Sequence, residues 1–161
     1  MTTFYENMLA YRLPWKGKGS IKDIAPNICE SYSFNKAGTE FTYHLRKGMR
    51  WSDGAPFTAD YITFAVNDLG TNKVLHAHPQ ARLSGRDGQG CHAEKLGTYT
   101  VKLVYPTPNS IAPQGVCSAG GFFLHAPAHY LKQFHIDYNP NANDLAKQKG
   151  FSSWVGLINA K

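Results

Sequence analysis

Residues 40–70 change their apolar period once, and that change dictates what the chain can build. From Glu40 to Arg46, Phe41, Tyr43 and Leu45 alternate with Thr42, His44 and Arg46, the two-residue period of a strand with one buried face. From Ala59 to Leu69, the positions of Ile62, Phe64, Ala65, Val66 and Leu69 include the three- and four-residue steps of a helical stripe. Between them Ser52, Asp53 and Gly54 form a tight turn, with Gly54 free to take positive φ and Asp53 capping the turn. Thr58 is placed to cap the helix, Asp60 complements the dipole of its first turn, and Gly70 ends it. Trp51 is expected buried under the strands, so Trp51, Asp53, Gly54 and Thr58 all read as structural.

Cys29 to Phe34 is a second strand, joined to residues 40–46 through Asn35-Lys36-Ala37-Gly38-Thr39, which makes an antiparallel hairpin. Tyr99, Val101 and Leu103 alternate again over residues 98–104, giving a third strand. Phe4–Leu13 reads as a short helix or turn, residues 71–97 as a turn-rich stretch without periodicity, and Gly120–His125 as a short apolar run. Short helices are expected over residues 128–134 and 143–150, with a last apolar turn over 151–157. The fold class is α+β, a small antiparallel sheet with covering helices, and the 161 residues are read as a single domain.

Hydrophobic residues make up 42% of the chain and charged residues 17%, a globular balance. The formal charge of +6 comes from basic side chains spread along the sequence rather than gathered between stacking aromatics, so a solvated face is preferred to a nucleic-acid surface. The start MTTFYENMLAY has no cationic head followed by an apolar run, so no signal segment is expected within these 161 residues. His76 and His78, with Cys91 and His92 following, allow a four-ligand metal site to be drawn, but their spacing matches no helical ligand pair. His125 and His129 share a helical spacing, and packing is the preferred reading for them and for His135. No GxSxG elbow, GxGxxG or phosphate loop is present, and no catalytic residue or cofactor is assigned. Cys29 sits in an apolar stretch as a small buried hydrophobe, while Cys91 and Cys117 flank turn-rich sequence and are better placed to pair.

Taken together, FTYHLRKGMRWSDGAPFTADYITFAVNDL (residues 41–69) resembles the signature region of the family 5 extracellular solute-binding proteins, the peptide-type receptors of ABC importers. YENMLAY and IAPNICESYSFNKAGTEFTYHL upstream, and LGTYTVKLVYPTPNS downstream, resemble the same family, and APAHYLKQFHIDYNPNANDLAKQKGFSSWVGLIN (residues 126–159) resembles the end of the same region in its oligosaccharide and large-dipeptide-type members. The middle stretch of residues 71–97 is not covered, and Cys29 stands where the family usually has a small aliphatic residue.

The resemblance implies a subdomain of a type II periplasmic-binding fold, a piece of lobe I of a larger two-lobed receptor. It further implies capture of peptides or oligosaccharides outside the cytoplasm and delivery to ABC permease subunits, with most ligand contacts made by the missing lobes. The expected location is periplasmic or extracellular and membrane-associated for the full-length protein, and in that compartment the Cys91–Cys117 disulfide is expected to persist. Phe122, Phe123, His76 and His78 are the candidate ligand-facing residues, chosen by their position beside loops. Two alternatives stand beside the receptor: a free-standing metal- or thiol-dependent enzyme using Cys91, His92, His76 and His78, and a module that only packs against partners.

Overall fold

The computed structural model describes residues 7–11, 24–117 and 125–161 of the chain. Two compact units divide it, Met1–His125 and Ala126–Lys161. The first unit opens with a two-stranded antiparallel ribbon, β1 (Leu9–Tyr11) against β2 (Ile24–Pro26). Leu9–Tyr11 was expected within a short helix or turn. Pairing with β2 overrides that local spacing, because it lets the adjacent Met8 and Leu9 both be fully buried.

The expected hairpin forms from β3 (Cys29–Phe34) and β4 (Glu40–Leu45), with Tyr43 opposite Tyr32 and Phe41 opposite Phe34. Asn35 fixes its turn: the side-chain Oδ1 accepts from the backbone N–H groups of Thr39 and Glu40, and Nδ2 donates to the Thr39 hydroxyl. Alternation along β4 sends Phe41, Tyr43 and Leu45 into the core, none more than 2% exposed.

α1 (Ala59–Thr63) runs into a π-helical turn, Phe64–Gly70, closed by the Thr71 N–H donating to the Val66 carbonyl at 2.9 Å. The sequence reading expected one helix from Ala59 to about Leu69, on the three- and four-residue spacing of its stripe. The wider turn instead buries Phe64, Ala65 and Val66 in succession and leaves Leu69 half-buried. At Gly70 the helix end passes so close to Leu83 that a Cβ would collide with that side chain and press on the Ala65 carbonyl.

β5 (His92–Gly97) is a strand that the sequence reading placed in irregular structure, and β6 (Thr100–Val104) is the expected third strand. The sheet order is β3-β4-β6-β5, antiparallel throughout. Phe41, Tyr43, Ala93, Val101 and Leu103 line the inner face, against which α1 and its π-helical turn pack. Thr42, His44, Thr100, Lys102, Glu94 and His92 project from the other face, where Lys102 and His92 both contact the Glu94 carboxylate. Hydrogen bonds from Lys102 and, less strongly, from His92 draw the Glu94 carboxyl below its ordinary range.

Residues 71–91 are ordered as successive turns pinned by the buried Leu75 and Leu83, with Gln80 N–H on the Gly70 carbonyl and Cys91 N–H on the Leu83 carbonyl. α2 (Ala112–Cys117) follows β6, with Pro113 tolerated in its first turn. The second unit holds α3 (Ala128–Leu131), continued as a 3₁₀ turn over Lys132–Phe134, then α4 (Ala142–Gln148) and α5 (Trp154–Asn159). Its centre is the fully buried His135, whose ring lies 4.7 Å from that of Trp154.

β5 lies at a sheet edge, and Asn67 on the π-helical turn supplies the missing strand partner. Its Nδ2 donates to the Ala93 carbonyl at 2.9 Å and its Oδ1 accepts from the Ala93 N–H at 2.8 Å. Replacing Asn67 with Ala is predicted to cost about 1–2 kcal/mol for the two lost bonds and to speed exchange of the Ala93 amide. Chemical denaturation and amide exchange check this; an unchanged midpoint and exchange rate would show that the clamp carries no stability.

Candidate functional site

The strand–turn–helix block places its chemistry-bearing residues in structural roles. The Asp53 Oδ1 accepts from the Ala55 N–H at 3.0 Å, and Trp51 N–H donates to the Ala55 carbonyl at 2.8 Å. Gly54 sits between them at φ +89°, a conformation that side chains with a Cβ rarely adopt. Thr58 has the extended backbone of an N-cap, but its hydroxyl makes no capping bond to the helix. It donates to Asp60 Oδ2 instead, at 3.0 Å, while Asp60 also pairs with Lys95 at 2.7 Å. The side-chain cap expected for Thr58 is therefore replaced by a carboxylate contact.

Trp51 is half-buried rather than mostly buried, and its ring neighbours among the described residues include Phe57, Tyr61 and His125, with ring centroids at 5.4, 5.1 and 6.2 Å. Phe57 stacks on Tyr61 and meets His125 edge-on. This aromatic cluster explains the turn: WSDG swings Trp51 onto the start of α1. Burial pushes His125 down to about 4, so it stays neutral among the rings. The sequence reading noticed His125 only through its spacing from His129. His129 is exposed on α3 of the second unit, and no shared ligand role follows from that spacing.

Of the four proposed ligand-facing residues, only His76 and His78 lie among the described residues. Phe122 and Phe123 lie outside the described residues. His76 is half-buried, held through its N–H on the Asn72 carbonyl, and His78 is exposed on the same run of turns. The drawn metal constellation fails on strand geometry. Cys91 is 1% exposed and points inward, whereas His92, the next residue, points outward to Glu94. Among the described residues no three His, Cys, Asp or Glu side chains converge as metal ligands.

The expected Cys91–Cys117 disulfide is not made: Cys29, Cys91 and Cys117 are all buried free thiols. Cys117 donates to the Pro113 carbonyl within its own helix at 3.1 Å, and Cys29 donates to the Met8 carbonyl at 3.1 Å. Cys91 instead meets the Tyr105 hydroxyl, and position beside turns did not reveal these separate partners. Burial raises Cys91 to about 12 and Cys117 to about 11, so neither is a nucleophile near neutral pH. Tyr43, fully buried, is held protonated by burial and by the nearby thiols.

The model of the bacterial extracellular solute-binding proteins, family 5 Middle, matches residues 23–154. The chain belongs to this family. A periplasmic alpha-galactoside-binding protein of Rhizobium meliloti is 32% identical over 121 residues, covering 70% of this chain and 16% of that protein. A probable ABC transporter-binding protein of Deinococcus radiodurans is 30% identical over 112 residues, covering 66% of this chain and 17% of that protein.

Among solved structures, an oligopeptide-binding protein, OppA, superposes over 86% of this chain and 21% of its own, with 36% identity and a TM-score of 0.74. The binding protein MelB from Agrobacterium fabrum C58, solved with stachyose, matches 96% of this chain and 21% of its own at 22% identity and a TM-score of 0.69. The chain thus spans about a fifth of these structures and about a sixth of the curated relatives. The fold is the small-sheet α+β part of the type II periplasmic-binding architecture, as the resemblance implied.

His125 gives this unit a pH signature. Unfolded histidine titrates near 6.5 and the buried ring near 4, so between those values the unfolded state binds the proton that the folded state refuses. Its contribution is full above pH 6.5 and is lost as pH falls towards 4, by about 3 kcal/mol. Denaturant titrations across this window should show the loss in the native sequence and a much shallower slope in His125→Gln. Parallel slopes would contradict the assignment.

Proposed function

We propose that this chain is part of lobe I of a two-lobed receptor of an ABC importer, which captures peptides or oligosaccharides outside the cytoplasm and hands them to the membrane permease. The carrying observation is its superposition at 36% identity on an oligopeptide-binding protein of which it spans about a fifth. The alpha-galactoside-binding relative brings oligosaccharides within the ligand class, at similar identity over a similar length. The family is one of binding proteins, and the buried thiols and separated histidines described above give no support to an enzyme.

In this reading the unit acts by packing. Its sheet is a rigid wall beside the cleft, and the remaining lobes enclose the ligand and make most of the contacts. Enclosure matters because a bound small molecule has 70–90% or more of its surface buried. An open wall cannot bury that much, so tight binding requires closure of a second lobe over the first.

Calorimetric titration of the 161-residue chain with raffinose, stachyose and mixed tri- to pentapeptides is predicted to give no saturable heat at submillimolar ligand. A longer receptor containing these residues should bind one of the two classes at micromolar or tighter affinity. Micromolar binding by the 161-residue chain would place the site within it and overturn the assignment to the missing lobes. Absence of binding to both classes by the longer protein would overturn the receptor reading.

A further inference from the structure

The inner face of the sheet is not covered along its whole length. Tyr32 and Phe34, two residues apart on β3, point to the same side as Tyr43 and Phe41, yet Phe34 is 62% exposed. α1 packs on β5 and β6 at the far side of the sheet, leaving the β3 side to α2 and the segment before it. A cleft of about 500 Å³ results, walled by Tyr32, Phe34, Phe41, Pro108 and Pro113 and floored by the Asn35–Gly38 turn. That volume falls within the usual range of small-molecule sites.

The walls decide what fits. Tyr32 is fixed by stacking on Tyr43, and Phe34 by its tilted contact with Phe41 at 6.0 Å, so two aromatic faces are already positioned. Asn35 lines the cleft, but its side chain is engaged by Thr39 and Glu40 and has little left for a ligand. Among the described residues Lys36 is the one charged residue that lines it, and the exposed Ser110 lines it too. Apolar walls under a single cation complement an apolar group that carries one negative charge.

We propose that this cleft binds an aromatic or large aliphatic side chain attached to a free carboxylate, as in the C-terminal residue of a peptide. The side chain enters between Phe34 and Pro113, and the carboxylate meets the Lys36 ammonium at the rim. The inference rests on the geometry of this unit and does not depend on the receptor reading.

The test is an amide-shift titration of the isotopically labelled 161-residue chain with N-acetyl-L-phenylalanine, its uncharged amide, and raffinose at millimolar concentrations. The acid is expected to shift the amides of Tyr32–Gly38, Asn109, Ser110 and Ala112. The amide should bind about two- to fivefold more weakly, the size of one exposed ion pair. Lys36→Gln should bring the acid to the level of the amide, and Phe34→Ala should weaken both by about tenfold through loss of an aromatic wall. Both residues are exposed, so the variants should keep the native spectrum elsewhere. Equal binding of acid and amide, stronger shifts with raffinose, no shifts with any probe, or shifts that follow protein concentration alone would each overturn the proposal.

Discussion

The first unit depends on β4 being paired on both sides while its alternate residues are fully buried. Phe41, Tyr43 and Leu45 form one column, and their neighbours on β3 and β6 take register from it. A slip by one residue would send Thr42 and His44 into the core and expose three large side chains, so the register has no close competitor. Each side chain of this size is worth about 1.5–3 kcal/mol when buried, more than any one hydrogen bond in the unit supplies. The helix then has one place to go: its N–H at Ala59 donates to the Thr98 carbonyl at 2.9 Å, which docks its start at the β5–β6 turn.

The two edges of the sheet are managed differently, and the difference shapes the surface. At β5 a side chain closes the edge, since Asn67 satisfies both polar groups of Ala93, and Lys95 is tied to Asp60 on the helix. At β3, among the described residues, α2 brings only Pro113 to the cleft, and the strand turns Tyr32 and Phe34 towards it. The closely packed half of the unit is therefore the helix side, and the β3 side keeps apolar surface accessible.

The parts legible in the sequence are those with an unbroken period. β3, β4 and β6 carry period-two alternation or a turn built on Asn35, and the helical stretch from Ala59 to Gly70 carries a stripe with a terminal glycine, so these elements could be read directly. β5 was not legible because its edge position buries little: Ala93 alone is buried within His92–Gly97, and a single apolar residue makes no period. β1 is three residues long and defined by its partner, which local spacing cannot see. The Pro113 at the head of α2 was a usable signal that went unread, because Pro is favoured in a first helical turn. Motif density around HLRKGMRWSDGAPFTAD identified the family although its side chains serve the turn, the core and surface contacts such as Asp60 with Lys95. The candidate ligand residues had no such support, and His76 and His78 were chosen only for sitting beside loops.

The doubly paired strand and the helix packed with it are expected to be the last part of the first unit to open. Native-state hydrogen exchange under increasing denaturant measures this directly. The amides of Phe41, Tyr43, Val101 and Leu103, with those of Val66 and Ala65, should exchange only through global unfolding and merge on one isotherm. The β1–β2 ribbon and the turns of residues 71–91 should open at lower free energy. If the β4 and β6 amides exchanged through a subglobal opening while the ribbon or those turns stayed protected, the sheet would not be the element on which the unit depends.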